Sequence, residues 1–172
     1  SGTQEERAQE TPSPAHRFAE TVELRVAKIT QVESHPKADK LYIEQIDLGS
    51  EQRQIISGLV GHYEPAELVG KNVIVVANLK TAKLRGEMSQ GMLLAAEADE
   101  MIEVLFLDDA KPGDRVGLSG LDSGESPKEI SIDEFFEHPI SVVENVVQVD
   151  GVEFEAAGKR VETSRVENGT VG

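Results

Sequence analysis

Residues 72–92 read Asn-Val-Ile-Val-Val-Ala-Asn-Leu-Lys-Thr-Ala-Lys-Leu-Arg-Gly-Glu-Met-Ser-Gln-Gly-Met, and this stretch carries the pattern that decides the fold. The eight residues from Asn72 to Leu79 are dense in β-branched side chains, which is typical of a buried strand. A second strand is predicted over Met88 to Glu97, and Gly91 inside it indicates a bulge or a close approach by another segment. The stretch therefore predicts two strands with a polar connection between them.

The connection between these strands is a local exception to the charge of the chain. It holds Lys80, Lys83 and Arg85 against one acid, Glu87, whereas the 172 residues together carry a net charge of -15. Cations kept inside an acidic chain predict an anionic partner, and phosphate oxygens are the natural candidate because long cationic side chains neutralise them and release counterions. From spacing alone, the simpler interpretation is a hairpin whose lysines only solvate the loop.

Further short strands are predicted on both sides of this stretch. The alternation over Val22 to Val32 slips once, which predicts a long strand with a bulge. The remaining predicted elements are strands over Leu41–Leu48, Arg53–Ser57, Ile102–Phe106 and Arg115–Leu118, and a short helix that begins near Pro65 and ends at Gly70. Five or six strands with turn residues between them and one small helix predict a mainly β chain folded as an OB-fold, a compact Greek-key barrel.

Residues 35–39, His-Pro-Lys-Ala-Asp, predict a turn after the first strand. Pro36 disfavours a helical conformation for His35, and the Asp can bond its own backbone. An alternative interpretation places Lys37 and Lys40 at the rim of a binding face. Spacing alone favours the plain turn.

The composition divides the chain into three parts. Residues 1–20 are polar and lack apolar periodicity, so we expect a disordered leader or linker. Residues 21–120 form the predicted barrel. Residues 121–172 begin with a Gly/Ser/Pro linker and carry 12 acids against 4 bases. They predict a helix, then β-rich runs with a hairpin turn at Asp150-Gly151, and they are too few to fold alone, so this extension should pack on the barrel.

Several classes of function find no support in the sequence. There is no cysteine, and the four histidines have no metal-ligand spacing, so no metal site and no cofactor are expected. No nucleotide-binding or nucleophile motif is present, which argues against an enzyme. No apolar run approaches the roughly 20 residues that a membrane span requires. A cytoplasmic protein that is not an enzyme is therefore expected.

The chain resembles the tRNA-binding domain typified by endothelial monocyte-activating polypeptide II. That domain also occurs at the C-terminus of many methionyl-tRNA synthetases and in aminoacylation cofactors. The sequence motifs of that domain occur in this chain in the same order as in the family: Val22-Glu-Leu-Arg-Val26, His35-Pro-Lys-Ala-Asp-Lys-Leu-Tyr42, Ile46-Asp-Leu-Gly49, Arg53-Gln-Ile-Ile-Ser-Gly-Leu59, Asn78-Leu-Lys80, Lys83-Leu-Arg-Gly86, Ser89-Gln-Gly-Met92 and Pro112-Gly-Asp114.

The resemblance implies recognition of tRNA by shape, at the outer corner where the D and T loops meet. It implies that Lys80, Lys83 and Arg85 meet phosphates, and that Arg53 is a further cation. Hydrogen bonds to sugars or base edges would come from Asn78 and Ser89. Met92 would pack against an exposed base, although its spacing from Met88 also suits a core residue.

The resemblance also covers the extension, which looks like a C-terminal domain that mimics the interface of a second subunit. A monomer that is a pseudo-dimer is therefore expected. The family resemblance implies an auxiliary, non-catalytic module of an aminoacyl-tRNA synthetase, with the methionyl enzyme as the first expectation. The strong negative charge keeps open an alternative, in which the domain is a protein-interaction module of a synthetase complex with weak or lost tRNA binding.

Overall fold

The computed structural model describes residues 12–125 and 127–172, and in them the chain is mainly antiparallel β-sheet. No helix in this part of the chain has the length and apolar character to cross a membrane. The helices are α1 (Pro14–Thr21), α2 (Pro65–Leu68) and α3 (Ile132–Phe136). The strands of the N-terminal part are β1 (Leu24–Ser34), β2 (Tyr42–Asp47), β3 (Gln52–Ser57), β4 (Asn72–Val76), β5 (Ala82–Leu84), β6 (Glu87–Ser89), β7 (Met92–Leu93), β8 (Ala95–Ala98), β9 (Met101–Val104) and β10 (Arg115–Leu118). Those of the extension are β11 (Ile140–Val143), β12 (Val146–Val149), β13 (Val152–Ala156), β14 (Lys159–Arg160) and β15 (Gly169–Val171).

The long strand β1 organises the N-terminal part. Its first half lies between β4 and β10, and its second half pairs with β2. The register shifts between Ile29 and Gln31, which confirms the predicted bulge and lets one strand serve three neighbours. The prediction of a mainly β fold is confirmed, and this strand arrangement is compatible with the predicted OB-fold.

Two apolar cores stabilise this arrangement. The first lies within the curved sheet of β1 to β4 and is closed by α2; its largest fully buried side chains are Ile29, Ile46, Ile55 and Leu68. The second lies between the outer face of that sheet and the extension; its largest members are Leu24, Ile74, Leu94, Leu105, Phe135 and Phe154. The extension therefore shares a core with the barrel, as predicted for a segment too short to fold alone.

Backbone pairing joins the extension to the barrel at two edges. Strand β10 pairs with β13, and β15 pairs with β8, so the extension stands between two strands of the barrel in one sheet. The predicted turn at Asp150-Gly151 connects β12 to β13, with φ of 48° and 80° at its two residues. Positive φ at both positions is the geometry of a two-residue hairpin turn.

The predicted strand over Met88 to Glu97 is wrong in its continuity, because the segment is divided among β6, β7 and β8. Gly91 separates the first two with φ of 143°. A Cβ atom there would lie 3.1 Å from the carbonyl oxygen of Val76, so another strand approaches closely at this residue. The chain changes direction there, and β5 and β6 form a two-stranded sheet apart from the main one.

The predicted disordered leader is also wrong at its end. Residues 1–11 lie outside the described residues, but α1 occupies Pro14–Thr21. Ser13 caps the helix by accepting a hydrogen bond from the His16 backbone N–H. Ala15, Phe18 and Ala19 form one buried face, and the Phe18 ring packs edge-on against Phe154 of the extension at 5.4 Å between centroids. Contact with the extension stabilises a helix that is too short to be stable alone.

A carboxyl group is buried within the first core. Glu44 is fully buried on β2, where Oε2 accepts a hydrogen bond of 2.5 Å from the Ser57 hydroxyl and Oε1 has no partner among the described residues. Burial raises the pKa of Glu44 to about 8 from its ordinary 4.5, and the bond from Ser57 opposes that rise.

We expect Glu44→Gln to change how stability depends on pH. The unfolded carboxyl ionises near its ordinary value, whereas the folded one keeps its proton until about pH 8. The contribution of the Glu44 side chain to stability is therefore fully present below the pKa of the unfolded state, and it is lost as pH rises through the pKa of the folded state. The free energy of unfolding, measured in urea, should be higher for Glu44→Gln than for the native chain by about 2 kcal/mol or more at about pH 9. At about pH 4 the variant should show no such advantage. The size follows because each tenfold change in an ionisation constant corresponds to about 1.4 kcal/mol. An equal difference at both pH values would contradict this.

Candidate nucleic-acid interface

The hairpin formed by β5 and β6 lies along β3, the edge strand of the main sheet, and the end of β6 is bonded to the β3 backbone. Leu84 pairs with Glu87, so the two residues between them, Arg85 and Gly86, form the turn with φ of 53° and 91°. Both angles are positive, as a tight hairpin turn with right-handed twist requires. The turn therefore places the guanidinium group of Arg85 at the tip of the hairpin.

The three predicted cations of this stretch are together on the hairpin and its base. Lys80, Lys83 and Arg85 are all exposed, and none of them forms an ion pair with another described residue. By contrast, Arg25 pairs with Glu23 at 2.9 Å. Cations without carboxylate partners need no ion pair to be broken before they can contact phosphate oxygens.

The hairpin is held on the barrel by hydrogen bonds of Gln54 and Gln90 instead of a strand ladder. Gln54 on β3 donates through Nε2 to the carbonyl of Met88 at 2.8 Å, and its backbone N–H donates to the side chain of Gln90 at 3.0 Å. The Gln90 N–H in turn donates to the carbonyl of Gln54. These bonds fix the direction of the hairpin without making it part of the main sheet.

His35 fixes the other end of the hairpin. Its ring is buried, its Nδ1 accepts the Lys37 backbone N–H at 3.0 Å, and its Nε2 lies 3.0 Å from the carbonyl of Leu84. An N–H can only donate and a carbonyl can only accept, so the neutral ring carries its proton on Nε2. The predicted turn at residues 35–39 is present, and it also positions the hairpin tip, where Arg85 donates to the Lys37 carbonyl at 3.2 Å.

We expect His35→Ala to loosen the hairpin while leaving the barrel folded. The change removes two hydrogen bonds from a buried site, which corresponds to about 1 to 3 kcal/mol of local stability. Amide hydrogen exchange should become at least about tenfold faster at Lys37 and at the ladder residues of β5 and β6. The control is His62→Ala, because His62 is exposed. Unchanged exchange at the hairpin would contradict a clamping role for His35.

Two predicted RNA contacts have structural roles instead. Asn78 is only 8% exposed, its Oδ1 accepts the Glu23 N–H at 2.9 Å, and its Nδ2 donates to the carbonyls of Thr21 and Lys128, each at 2.8 Å. Ser89 is 4% exposed and is bonded to the backbone of Ile56 and Gly91. Their polar atoms face the protein, so we remove both from the candidate interface.

Arg53 and Met92 lie near the hairpin, but both side chains are less available to RNA than the prediction required. Arg53 forms an ion pair with Glu51 at 2.5 Å and donates to the carbonyls of Ala77 and Gln90, so most of its guanidinium is already occupied. We assign it to the structure of the hairpin base. Met92 is half-buried against the second core and also lines a groove beside the hairpin. The core interpretation of Met92 is therefore partly met, whereas its contact with a base stays a prediction.

Sequence reasoning missed the residues that hold the hairpin. His35 and Gln54 act through bonds to residues more than thirty positions away, and no local pattern reveals such pairs. The Lys37 carbonyl lies beside the hairpin tip, and the placement of Lys37 and Lys40 at the rim of a binding face stays a prediction. In the described ranges, no group of three or more acidic or histidine side chains is placed to hold a metal ion.

Comparison with known proteins identifies the family of the chain. Residues 24–115 match the family model described as "Putative tRNA binding domain". Methionine--tRNA ligase of Treponema denticola is 40% identical over 177 residues, which cover 93% of this chain and 22% of that enzyme. The chain thus spans less than a quarter of the length of this relative.

Solved structures agree with this result. The C-terminal domain of Plasmodium vivax p43 is 31% identical with a TM-score of 0.81, covering 88% of this chain and 96% of that one. The MetRS related protein of Pyrococcus horikoshii is 32% identical with a TM-score of 0.53, covering 55% of this chain and 88% of its own. The matched family is non-catalytic, which confirms the prediction that this segment is not itself an enzyme. The chain belongs to the tRNA-binding domain family, and it is homologous to part of the methionyl-tRNA synthetases.

Proposed function

We propose that the chain binds tRNA through the hairpin cations and serves as an auxiliary module of a methionyl-tRNA synthetase in the cytoplasm. The observation that carries this proposal is a hydrogen-bonded hairpin with three exposed cations on it and at its base, Lys80, Lys83 and Arg85, none in an ion pair with a described residue, in a chain of net charge -15. Family membership and the synthetase relatives support the same function.

The target of the hairpin is the outer corner of tRNA, recognised by shape. A-form helices hide their base edges in a narrow groove, so phosphates and the exposed corner are what a compact protein face can contact. The acidic remainder of the chain repels RNA phosphates that come within about 8 Å of it, and salt screens the repulsion at larger distances. Binding by the module alone is therefore weak. Attachment to a catalytic domain makes it effective, because the second contact becomes intramolecular.

Titration of labelled tRNA at several salt concentrations tests this function. Three phosphate contacts should give a slope of roughly −2 to −3 in a plot of log affinity against log salt. A tRNA with an exchanged anticodon stem should bind equally well. Binding that does not depend on salt, or no binding at the lowest salt concentration, would contradict the proposal.

We also infer that the chain is a monomer whose extension stands where a second subunit would dock. In support, the extension occupies the edges of β8 and β10, which leaves neither edge open for pairing with another chain. Sedimentation equilibrium should return the mass of one chain, and a dimer would contradict this inference.

A further inference from the structure

An apolar groove of about 350 Å³ lies between the hairpin and α3. Leu84, 39% exposed, forms the hairpin wall, and Ile132, 43% exposed, forms the opposite wall on α3. Met92 and Leu79 line it as well, and Lys80 and Thr81 supply polar groups. Large apolar side chains exposed on two facing walls are the mark of a binding groove.

We propose that this groove receives one unstacked nucleobase of the RNA whose phosphates lie on the hairpin cations. The proposal rests on the proposed function and extends it from the backbone of the RNA to one of its bases. The groove lies at the small end of the range of about 300 to 1,000 Å³ that is usual for small-molecule pockets, which suits a single flat ring. Aliphatic side chains on two sides can cover both faces of such a ring, and the flexible thioether of Met92 adapts to it.

The distribution of charge selects an RNA base over an apolar protein side chain. Lys80 lines the groove itself, while Lys83 and Arg85 project from the same hairpin, so the phosphates on either side of an inserted base would meet cations. On the opposite wall, Asp133 and Glu134 follow Ile132 directly. These acids repel phosphates, so the RNA backbone must run along the hairpin side with its base directed toward α3.

The groove is already formed without its ligand. Ile130, two residues before the α3 wall, is fixed to the base of the hairpin by two backbone bonds: Lys80 N–H donates to the Ile130 carbonyl, and Ile130 N–H donates to the Asn78 carbonyl, each at 2.8 Å. The Asn78 side chain holds the Lys128 carbonyl in addition. The extension thus contributes a wall of the site, and the buried amide of Asn78 positions that wall.

The test uses the whole chain with methyl-labelled Ile, Leu and Met, titrated with an unmodified tRNA transcript. We expect the largest changes in methyl chemical shift at Leu84, Met92 and Ile132, in the direction that the ring current of a stacked base produces. Ile132→Ser should weaken tRNA binding by about fivefold to tenfold, in line with the loss of part of an apolar contact. The salt dependence should stay as in the native chain, because no phosphate contact is lost.

Val143→Ser is the matched control, since Val143 is 46% exposed on β11 and lies outside the groove. Leu84→Ser removes the hairpin wall of the groove and provides the same test if Ile132→Ser does not fold. Native affinity in both groove variants, or methyl shifts confined to residues outside the groove, overturns the inference while the proposed function stands. No salt-dependent tRNA binding by the native chain overturns both. Methyl shifts caused by an apolar peptide but not by tRNA would assign the groove to a protein partner and also overturn it.

Discussion

Replacing Lys83 and Arg85 together by alanine will weaken tRNA binding by at least about tenfold at low salt and will reduce the slope of log affinity against log salt by about two. Both side chains are exposed on the hairpin, and neither forms an ion pair with a described residue. The loss follows directly from two phosphate contacts and the counterions that they release. Fluorescence anisotropy of labelled tRNA at several salt concentrations measures both quantities.

The matched control is Lys28→Ala with Lys71→Ala. These lysines are exposed and lie by Asn72, at the opposite end of β4 from the hairpin, because Lys28 pairs with Asn72 in the sheet. The control changes the net charge of the chain by the same two units. If both double variants weaken binding equally, the effect is one of overall charge, and the hairpin is not the contact site. A thermal melt of each variant shows whether the fold is intact.

Replacing Glu103 by alanine will lower the free energy of unfolding by about 3 kcal/mol, because several charge-assisted hydrogen bonds are lost together. Glu103 on β9 is 7% exposed, and its carboxylate accepts the backbone N–H groups of Ser164, Arg165 and Val166 at 2.7, 2.7 and 2.8 Å. Without the carboxylate these donors have no acceptor in a partly buried site. The melting temperature should fall by about 6 to 12 °C for a chain of this size.

Glu97→Ala is the control for this experiment. Glu97 lies on the neighbouring strand β8 but is exposed. It should change the melting temperature by no more than about 1 or 2 °C, as usual for an exposed surface position. Equal effects of the two changes would show that Glu103 does not hold the extension on the barrel. Because the extension forms one wall of the groove, Glu103→Ala should also weaken tRNA binding if the groove takes a base.

Much of the barrel could be predicted from short-range pattern. Strands β2, β3 and β10 stand within one residue of the predicted ranges at each end, because alternation and β-branched runs directly reflect which face of a sheet is buried. The prediction was wrong for α1, whose three buried residues form a buried face only in the tertiary structure, where the helix packs on β10 and β12 and Phe18 meets Phe154 of the extension. It was also wrong for the continuity of the strand around Gly91. There the chain passes close to the carbonyl of Val76, which is remote in sequence.

The residues of the candidate site likewise include some that the sequence predicted and some whose role only the structure shows. The three cations of the hairpin were predicted from their contrast with an acidic chain, and the structure places them together on an exposed hairpin. Asn78 and Ser89 were predicted as RNA contacts because they are polar residues beside those cations. Their side chains are instead used inside the protein, and only long-range hydrogen bonds reveal this.

The sequence by itself determined the mainly β fold, the family and the location of the cationic hairpin, because each depends on residue identity over short spans. Only the tertiary structure decided which polar residues remain available to a ligand, since burial and partners come from segments far apart in the chain. It also decided that the extension completes a groove beside the hairpin. The backbone bonds between Ile130 and the hairpin base bring the two walls together, and no local pattern encodes that meeting.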